Sequence, residues 1–483
     1  MLNEILNLTA LQLGHAIRSG DISIPEVTQM ALDAARRNEH NSFITLNPEQ
    51  AMVRAEELQQ RLSDTESLLY GVPMAFKDNI CTRGVRTTCG SKMLNNFIPS
   101  YSASVVELLD NAGTVSVGKT NMDEFAMGST GETSFYGPVT NPWDPACTPG
   151  GSSSGSASAV ASGTVSFALG SDTGGSVRQP AAHCGLTGMK PTYGTVSRYG
   201  LIAYASSLDQ IGPLCKDAAD CAAVLDTIQM YDRRDGTSLP GTYGNLLNCL
   251  TGDVRGLKIG IPTECFEDGL DDAVRCPVLS AADALRSMGA IVKECPLPIL
   301  PYAVPTYYIL ACAEASSNLA RYDGVKYGMR AKEYTDLNEL YCKTRTEGFG
   351  SETKRRILLG TFVLSAGYYD AYYQRALQTK AMIQTAFQTV FQSCDLLLTP
   401  VSPTTAPKLS SLTDPLQMYL SDVYTVAVNL AGLPALSMPC GFDANGLPIG
   451  AQLIAPHFGE GAALNAAHAF QQETDFHKRR CPL

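Results

Sequence analysis

Apolar residues recur at helical spacing through the first sixty positions. Leu11, Leu13 and Ile17 follow Thr9, a residue type that caps helix starts, and Ile24-Pro25 opens a second run ending near Ala35. The pattern predicts N-terminal helices over residues 1–60, packed on a main core. From Leu69 the text changes: short apolar runs, LYGVPMAF, TVSVG and TVSFALG, alternate with helical stretches such as SASVVELLDNAG, which is the alternation of an α/β sheet. GLKIGIP, DDAVRCPVLSAADALRSMG and AIVKECP read as a further strand, helix and strand. Between about 300 and 392 the chain is mostly helical and rich in Tyr and Arg, an insertion over one face of the sheet. Strands return at CDLLLTPVSP and at LPALSMPCGF and LPIGAQLIA, the last two joined by a turn at Asn445-Gly446, before an Ala-rich helix near His468. No fixed period repeats. Because strands lie both early and late with helices between them, residues 61–483 are expected to form one α/β domain rather than several.

Composition narrows the classes. Of 483 residues, 45% are hydrophobic and 17% charged, which excludes disorder and fibrous repeats. The net charge of -11 has the wrong sign for gripping a polyanion unaided, so any nucleic acid is expected to be held by something else. Fifteen Cys without a C-x-x-C pair suit a reducing compartment. No run approaches the ~18–20 apolar residues of a membrane span, and the start has neither signal-peptide nor Arg-rich transit character. A cytoplasmic location with no membrane partner is the expectation.

Two motifs match in letters and fail in context. Gly113 to Thr120 fits the phosphate-binding G-x-x-x-x-G-K-T, but a helix precedes it and the intervening TVSV reads as the strand itself. Gly151-Ser152-Ser153-Ser154-Gly155 fits the nucleophile elbow G-x-S-x-G, yet the preceding NPWDPACTPG holds three prolines and cannot be the strand an elbow needs. The six His, at 15, 40, 183, 457, 468 and 477, sit in no motif that marks a base, and none clusters with Cys or carboxylates at metal-ligand spacing. No metal site is indicated.

What remains is a serine-dense, histidine-free constellation. The segment TPGGSSSGSASAVASGTVSFALGSDTGGS, Thr148 to Ser176, has the composition of a flexible linker. Against that, Ala157 to Ala161 reads as a small-residue helix and Val165 to Leu169 as an apolar strand, which build the segment into the core. Its end, Asp172-Thr173-Gly174-Gly175-Ser176, sets consecutive backbone N–H groups beside a hydroxyl, the makings of an oxyanion hole next to a nucleophile. With no His at hand, the candidate base is Lys77 in GVPMAFKDN, where desolvation after an apolar run would favour the neutral amine. A strand-end lysine is more often a solvated charge, so spacing alone leaves both readings open.

At GVPMAFKDN, GKTNMDEFAMGS, PGGSSSGSA and SDTGGSVRQPAA the chain resembles the amidase signature family, and the likeness covers nearly its whole length. The resemblance implies a large mixed twisted sheet wrapped by helices and a Ser-cisSer-Lys triad. Ser176 would be the nucleophile, Ser152 the bridging serine after a cis peptide, Lys77 the base, and the turn Thr173, Gly174 and Gly175 the oxyanion hole. Ser154 stands where that family commonly has Gly. Further segments, GLTGMKPTYGTVSRYGLIAYASSLDQIGP, EGFGSETKRRILLGTFVLSAGYYDAYY and VNLAGLPALSMPCG, resemble its branch of amidase-type subunits in tRNA-dependent amidotransferases. That implies hydrolysis of free glutamine, with Arg356 on its α-carboxylate, Asp422 on its α-ammonium and Tyr307 beside them; Arg355 and Tyr308 are adjacent alternatives. It also implies B-type and C-type partner subunits in a heterotrimer, with misacylated tRNA, ATP and Mg handled at the partner and no cofactor in this chain. The ammonia would convert Glu-tRNA to Gln-tRNA, and in some bacteria Asp-tRNA to Asn-tRNA. The competing reading is a stand-alone amidase with the same triad; only an amino-acid substrate requires both Arg356 and Asp422.

Overall fold

Eleven strands form one mixed sheet in the computed structural model, which describes residues 5–241, 243–267 and 269–482. The expected domain limits at 1–4 and 483 lie outside these. The strand order is β1 (Phe43–Leu46), β3 (Val115–Thr120), β2 (Pro73–Lys77), β4 (Phe167–Asp172), β6 (Gln210–Cys215), β5 (Thr187–Lys190), β10 (Ala435–Phe442), β11 (Pro448–Ile454), β9 (Leu396–Pro400), β7 (Lys258–Pro262) and β8 (Ile291–Cys295). β2 lies parallel between β3 and β4, and β7 lies parallel between β8 and β9. Antiparallel pairing through β6, β5, β10 and β11 joins the two parallel groups. β2, β4, β9 and β11 are buried end to end, which is why their apolar residues stand side by side in the sequence, as in Met74-Ala75-Phe76 and Leu396-Leu397-Leu398, rather than in alternation. The α/β class read from the sequence is the one observed.

Thr9 caps the helix Ala10–Ser19 and Ser23 caps Ile24–Arg37, each closed into a capping box by Gln12 and Glu26. Their apolar faces, with Leu13, Ile17, Val27 and Leu32, are buried in the main core. A third helix, Pro48–Gln60, and the edge strand β1 add to what periodicity indicates; β1 is half-buried at all four positions and so shows no alternation. The expected strand at Val165–Leu169 runs instead from Phe167 to Asp172, and the helix before it starts at Ser154 rather than Ala157.

The helical stretch after residue 300 contains Ala303–Asn318, Leu337–Gly348, Ser351–Val363 and Arg375–Val390. It forms a second apolar cluster in which Tyr307, Leu310, Phe349, Ile383 and Phe387 meet Val426, Leu430 and Leu433. Through Tyr307 this layer reaches the turn that follows β4: a Cβ at Gly174 would lie 2.6 Å from its ring.

The segment resembling a phosphate loop is β3. Lys119 is fully buried within it, its Nζ donating to the carbonyl of Ile80 and, at 3.1 Å, to Thr87 Oγ1. Lys119→Met should therefore lower stability by about 1–3 kcal/mol in urea unfolding, because buried acceptors lose their donor. ATP titrated into the wild-type chain should give no binding heat. ATP binding that Lys119→Met removed would return this segment to the phosphate-loop reading.

Candidate active site

Lys77 is the last residue of β2, and Ser171 and Asp172 end the parallel neighbour β4, with Phe76 opposite Leu169. That register brings the lysine side chain to the end of β4. Its Nζ donates to Ser171 O at 3.2 Å and Ser171 Oγ at 3.0 Å, and to Ser152 Oγ at 2.8 Å and Ser153 Oγ at 2.9 Å. Ser152 and Ser153 come from the irregular stretch just before the helix Ser154–Ala161, and the Gly151–Ser152 peptide is cis. Lys77 has no exposed surface. Burial pushes its ammonium down to about 7 despite the attraction of Asp123, Asp172 and Asp209. A near-neutral amine ringed by hydroxyls can exchange a proton with a serine.

Ser176 lies in the turn after β4, 8% exposed, and its carbonyl accepts from the N–H of Ser153 at 3.2 Å. The turn is fixed from beneath by Asp172. Its Oδ1 accepts from Gly175 N at 2.8 Å and its Oδ2 from Val177 N at 3.2 Å, while Arg178 Nη2 and Nε each approach to 3.0 Å. Burial alone would raise this carboxyl, but the Arg178 guanidinium beside it holds it well below the usual carboxylate range. Arg178 continues to Gln452 Oε1 at 2.6 Å, Asn429 Oδ1 at 2.5 Å and Thr425 O at 3.2 Å. Above the turn there is no room for side chains: a Cβ at Gly174 would meet Tyr307, and one at Gly175, whose φ is +134°, would collide with Thr425. Thr173 Oγ1 donates to Asp209 Oδ1 at 2.7 Å, and Thr425 Oγ1 to Gly174 O at 2.6 Å.

Beside this turn sits a buried cation. Arg356, on the helix Ser351–Val363, is 2% exposed; its Nε donates to Glu352 Oε1 at 2.8 Å and its Nη1 to Tyr204 Oη at 2.7 Å. Three aromatic rings, Tyr308, Tyr419 and Tyr204, surround the guanidinium at 5.2, 5.4 and 5.6 Å. Its Nη2 is buried and has no partner. Tyr308 links it to Asp422, donating to Asp422 Oδ2 at 3.0 Å, and Ser129 Oγ donates to the same oxygen at 2.9 Å. Burial pushes the Asp422 carboxyl up to about 7 against those two bonds.

The structure thus gathers Lys77 and Ser152 in direct contact, Ser176 tied to them through the backbone of Ser153, and Arg356, Asp422 and Tyr307 on the facing helical layer. Among the adjacent alternatives, Arg355 points outward, its side chain 43% exposed and paired with Glu352. Tyr308, not Tyr307, holds Asp422, while Tyr307 covers Gly174. Of the turn's N–H groups, that of Gly175 is already engaged by Asp172. Ser154, at the position of the departure from Gly, is buried with its hydroxyl unpartnered. Tyr204, Asp209, Glu352, Tyr419 and Ser129 join the site without having stood out in the sequence. Only Glu352 carries a local signal, its i,i+4 spacing to Arg356 on one helix face. Among the described residues no group of three or more His, Cys, Asp or Glu is arranged to hold a metal ion, and no helix is long and apolar enough to cross a membrane.

This arrangement has relatives. The profile of the Amidase family matches residues 26–464, and the chain belongs to that family. It is 56% identical to the A-type subunit of glutamyl-tRNA(Gln) amidotransferase from Agathobacter rectalis, covering 97% of this chain and 94% of that protein. To the protein of the same name from Chromohalobacter salexigens it is 54% identical, with 98% of each covered. Among solved structures, the A-type subunit of glutamyl-tRNA(Gln) amidotransferase from Thermotoga maritima superposes with a TM-score of 0.80 at 39% identity, covering 97% of this chain and 95% of that one. The peptide amidase of Stenotrophomonas maltophilia gives a TM-score of 0.81 at 30% identity, with 98% of each covered.

Lys77 leaves a thermodynamic mark that can be measured without substrate. The unfolded lysine titrates near 10.5 and the folded one near 7, so between those values the unfolded chain binds the extra proton. Its contribution to stability is therefore least favourable below pH 7 and improves as pH rises through the window, by at most about 1.4 kcal/mol per pH unit. The stability of Lys77→Met relative to wild type should accordingly be greatest at pH 7 and shrink at pH 9 in urea unfolding. A difference independent of pH would mean that the lysine keeps its ordinary pKa.

Proposed function

We propose that this chain is the glutamine-hydrolysing subunit of a tRNA-dependent amidotransferase, producing ammonia for the amidation of Glu-tRNA(Gln). The observation that carries the reading is the buried, incompletely bonded Arg356 beside Asp422, within the same site as a near-neutral lysine and two serines. A guanidinium with an unpartnered Nη2 is a receptor for an α-carboxylate, and an anionic Asp422 for an α-ammonium. An amidase acting on unrelated amides needs neither charge. The names and high identity of the relatives support the same assignment.

In the mechanism that follows, neutral Lys77 accepts the proton of Ser152 as Ser152 accepts that of Ser176. The Ser176 oxygen adds to the carboxamide carbon of glutamine, and the oxyanion is met by N–H groups of the turn other than that of Gly175. Collapse of the tetrahedral adduct breaks the C–N bond, the relay returns the proton to the leaving nitrogen, and ammonia departs. Water then adds to the γ-glutamyl ester and releases glutamate. Tyr307 packs over Gly174 and closes the turn on the side of the helical layer. Activation of the tRNA-borne carboxylate needs ATP and Mg, which belong to a B-type partner, with a C-type subunit completing a cytoplasmic heterotrimer. Misacylated tRNA binds through the partner, consistent with this chain's net charge of -11.

Ser176→Ala should abolish glutamine-dependent amidation by the reconstituted complex while ammonium salt still supports it. A complex dead with both nitrogen donors would count against confining Ser176 to ammonia production. Arg356→Ala and Asp422→Ala should each weaken glutamine binding roughly tenfold to a hundredfold, the worth of a charge-assisted contact, and leave slow hydrolysis of a simple primary amide little changed. Equal losses on both substrates would count against an amino-acid pocket and favour general structural damage. Glutaminase activity should fall as pH drops through about 7, where Lys77 and Asp422 both become protonated, and Lys77→Arg should be as inactive as Lys77→Ala, because a guanidinium cannot accept a proton.

A further inference from the structure

Glu124 is a buried carboxylate with no place in the chemistry above, 3% exposed and immediately after Asp123. Its Oε1 accepts from Ser91 Oγ, and its Oε2 accepts from the N–H of Gly350 at 2.8 Å and from Thr353 Oγ1 at 2.6 Å. Gly350 is the N-cap of the helix Ser351–Val363 and has no side chain to bond the first turn. A carboxylate from a distant part of the chain therefore does the capping, with its charge at the favourable end of the helix dipole. Arg356 stands in the second turn of that helix.

Asp123 reaches the other way. Its N–H donates to Ser152 O at 3.3 Å, and its carboxylate accepts from Gly131 N at 2.9 Å and Thr133 Oγ1 at 2.9 Å. The same carboxylate fills the space beside Gly151, where a Cβ would collide with it. The next two residues after Glu124, Phe125 and Ala126, hold φ of +50° and +61°, a backbone conformation that non-glycine residues keep only when their surroundings enforce it. Consecutive residues thus join the serine loop to the helix bearing the guanidinium.

We propose that Glu124 is a positioning residue for substrate recognition: by capping Ser351–Val363 it sets the place of Arg356 relative to the Ser152 loop, so that the α-carboxylate is read at the correct reach from the nucleophile. This rests on the reading of Arg356 as the α-carboxylate partner. Gly350→Ala attacks the same contact from the helix side, because its Cβ would come within 2.6 Å of Glu124 Oε2.

The test is steady-state hydrolysis of glutamine and of a small neutral primary amide by the full chain in complex with its partner subunits, for Glu124→Ala, Glu124→Gln, Gly350→Ala and Arg356→Ala, with thermal melting alongside. Glu124→Ala and Gly350→Ala should raise KM for glutamine about tenfold with kcat within about twofold, the scale of one misplaced charged contact. Hydrolysis of the neutral amide should not change. Glu124→Gln keeps an oxygen for the Gly350 N–H and should recover most of the wild-type KM. If Glu124→Ala does not fold, the KM values of Glu124→Gln and Gly350→Ala decide. An unchanged KM in Gly350→Ala and Glu124→Ala while Arg356→Ala raises it overturns the positioning role alone, as does a parallel loss on both amides with a lowered melting temperature. An unchanged glutamine KM in Arg356→Ala overturns the glutamine pocket itself.

Discussion

Arg178 and Asp172 face each other 3.0 Å apart with no exposed side-chain surface, and the geometry of the whole site hangs on this pair. Removing two charges from water costs several kcal/mol per ion unless their remaining donors and acceptors are matched. Here the guanidinium is shared among Asp172, Asn429, Gln452 and the Thr425 carbonyl, and the carboxylate collects the N–H groups of Gly175 and Val177. Those partners belong to β4, to the turn that carries Ser176, to β11 and to the segment just after Asp422. One ion pair therefore locates the candidate nucleophile against the candidate recognition residues. Loss of either partner would leave the other charge stranded in the core.

Burial by itself does not single out Lys77. Lys119, Lys190 and Lys216 are equally enclosed, and burial pushes all four below the usual lysine range. Their neighbours separate them. Lys190 Nζ donates to the carbonyl of Pro191 and Lys216 to those of Leu6 and Leu8, while Lys119 donates to the carbonyl of Ile80 and to two threonine hydroxyls, Thr87 and Thr82, that belong to a different segment from the serine loop. A carbonyl oxygen has no proton to give. Lys77 reaches three serine hydroxyls, which do, so the same desolvation that is structural elsewhere becomes chemically useful there.

The legible parts of the fold are those where burial and local pattern agree. β2, β3 and β9 announce themselves as apolar runs, and Thr9 as a cap. β4 reads short because Gly170-Ser171-Asp172 looks like loop; these polar residues stay in the sheet because Lys77 and Arg178 satisfy them. β5 and β6 escape the pattern altogether: TGMK and QIGPLC contain the glycines and proline that ordinarily end strands, and Pro213 nevertheless pairs opposite Leu169. At the site, Lys77 and the turn before Ser176 have a physical signal in the sequence, whereas Ser152, Arg356, Asp422 and Tyr307 rest on family resemblance. The tyrosine ring around Arg356 has no signal, since Tyr204, Tyr308 and Tyr419 come from three separated segments. Arg355 and Arg356 are alike as letters; the helix turns one into the rings and the other to solvent.

The origin of each side chain divides the site in two. The groups with the means to move protons sit on the edges of β2 and β4 and the loops that cross them, while Tyr307, Arg356 and Asp422 belong to the helical layer and the chain that returns from it. The two halves meet at Gly174 and Gly175, where Tyr307 and Thr425 rest on bare backbone. A scaffold joined in this way is open to evolution by exchange. A lineage, or an engineer, could replace the overlying helices and alter which amide is admitted without disturbing the strand ends that would cleave it. The glycines at the seam are the positions that such an exchange would have to keep.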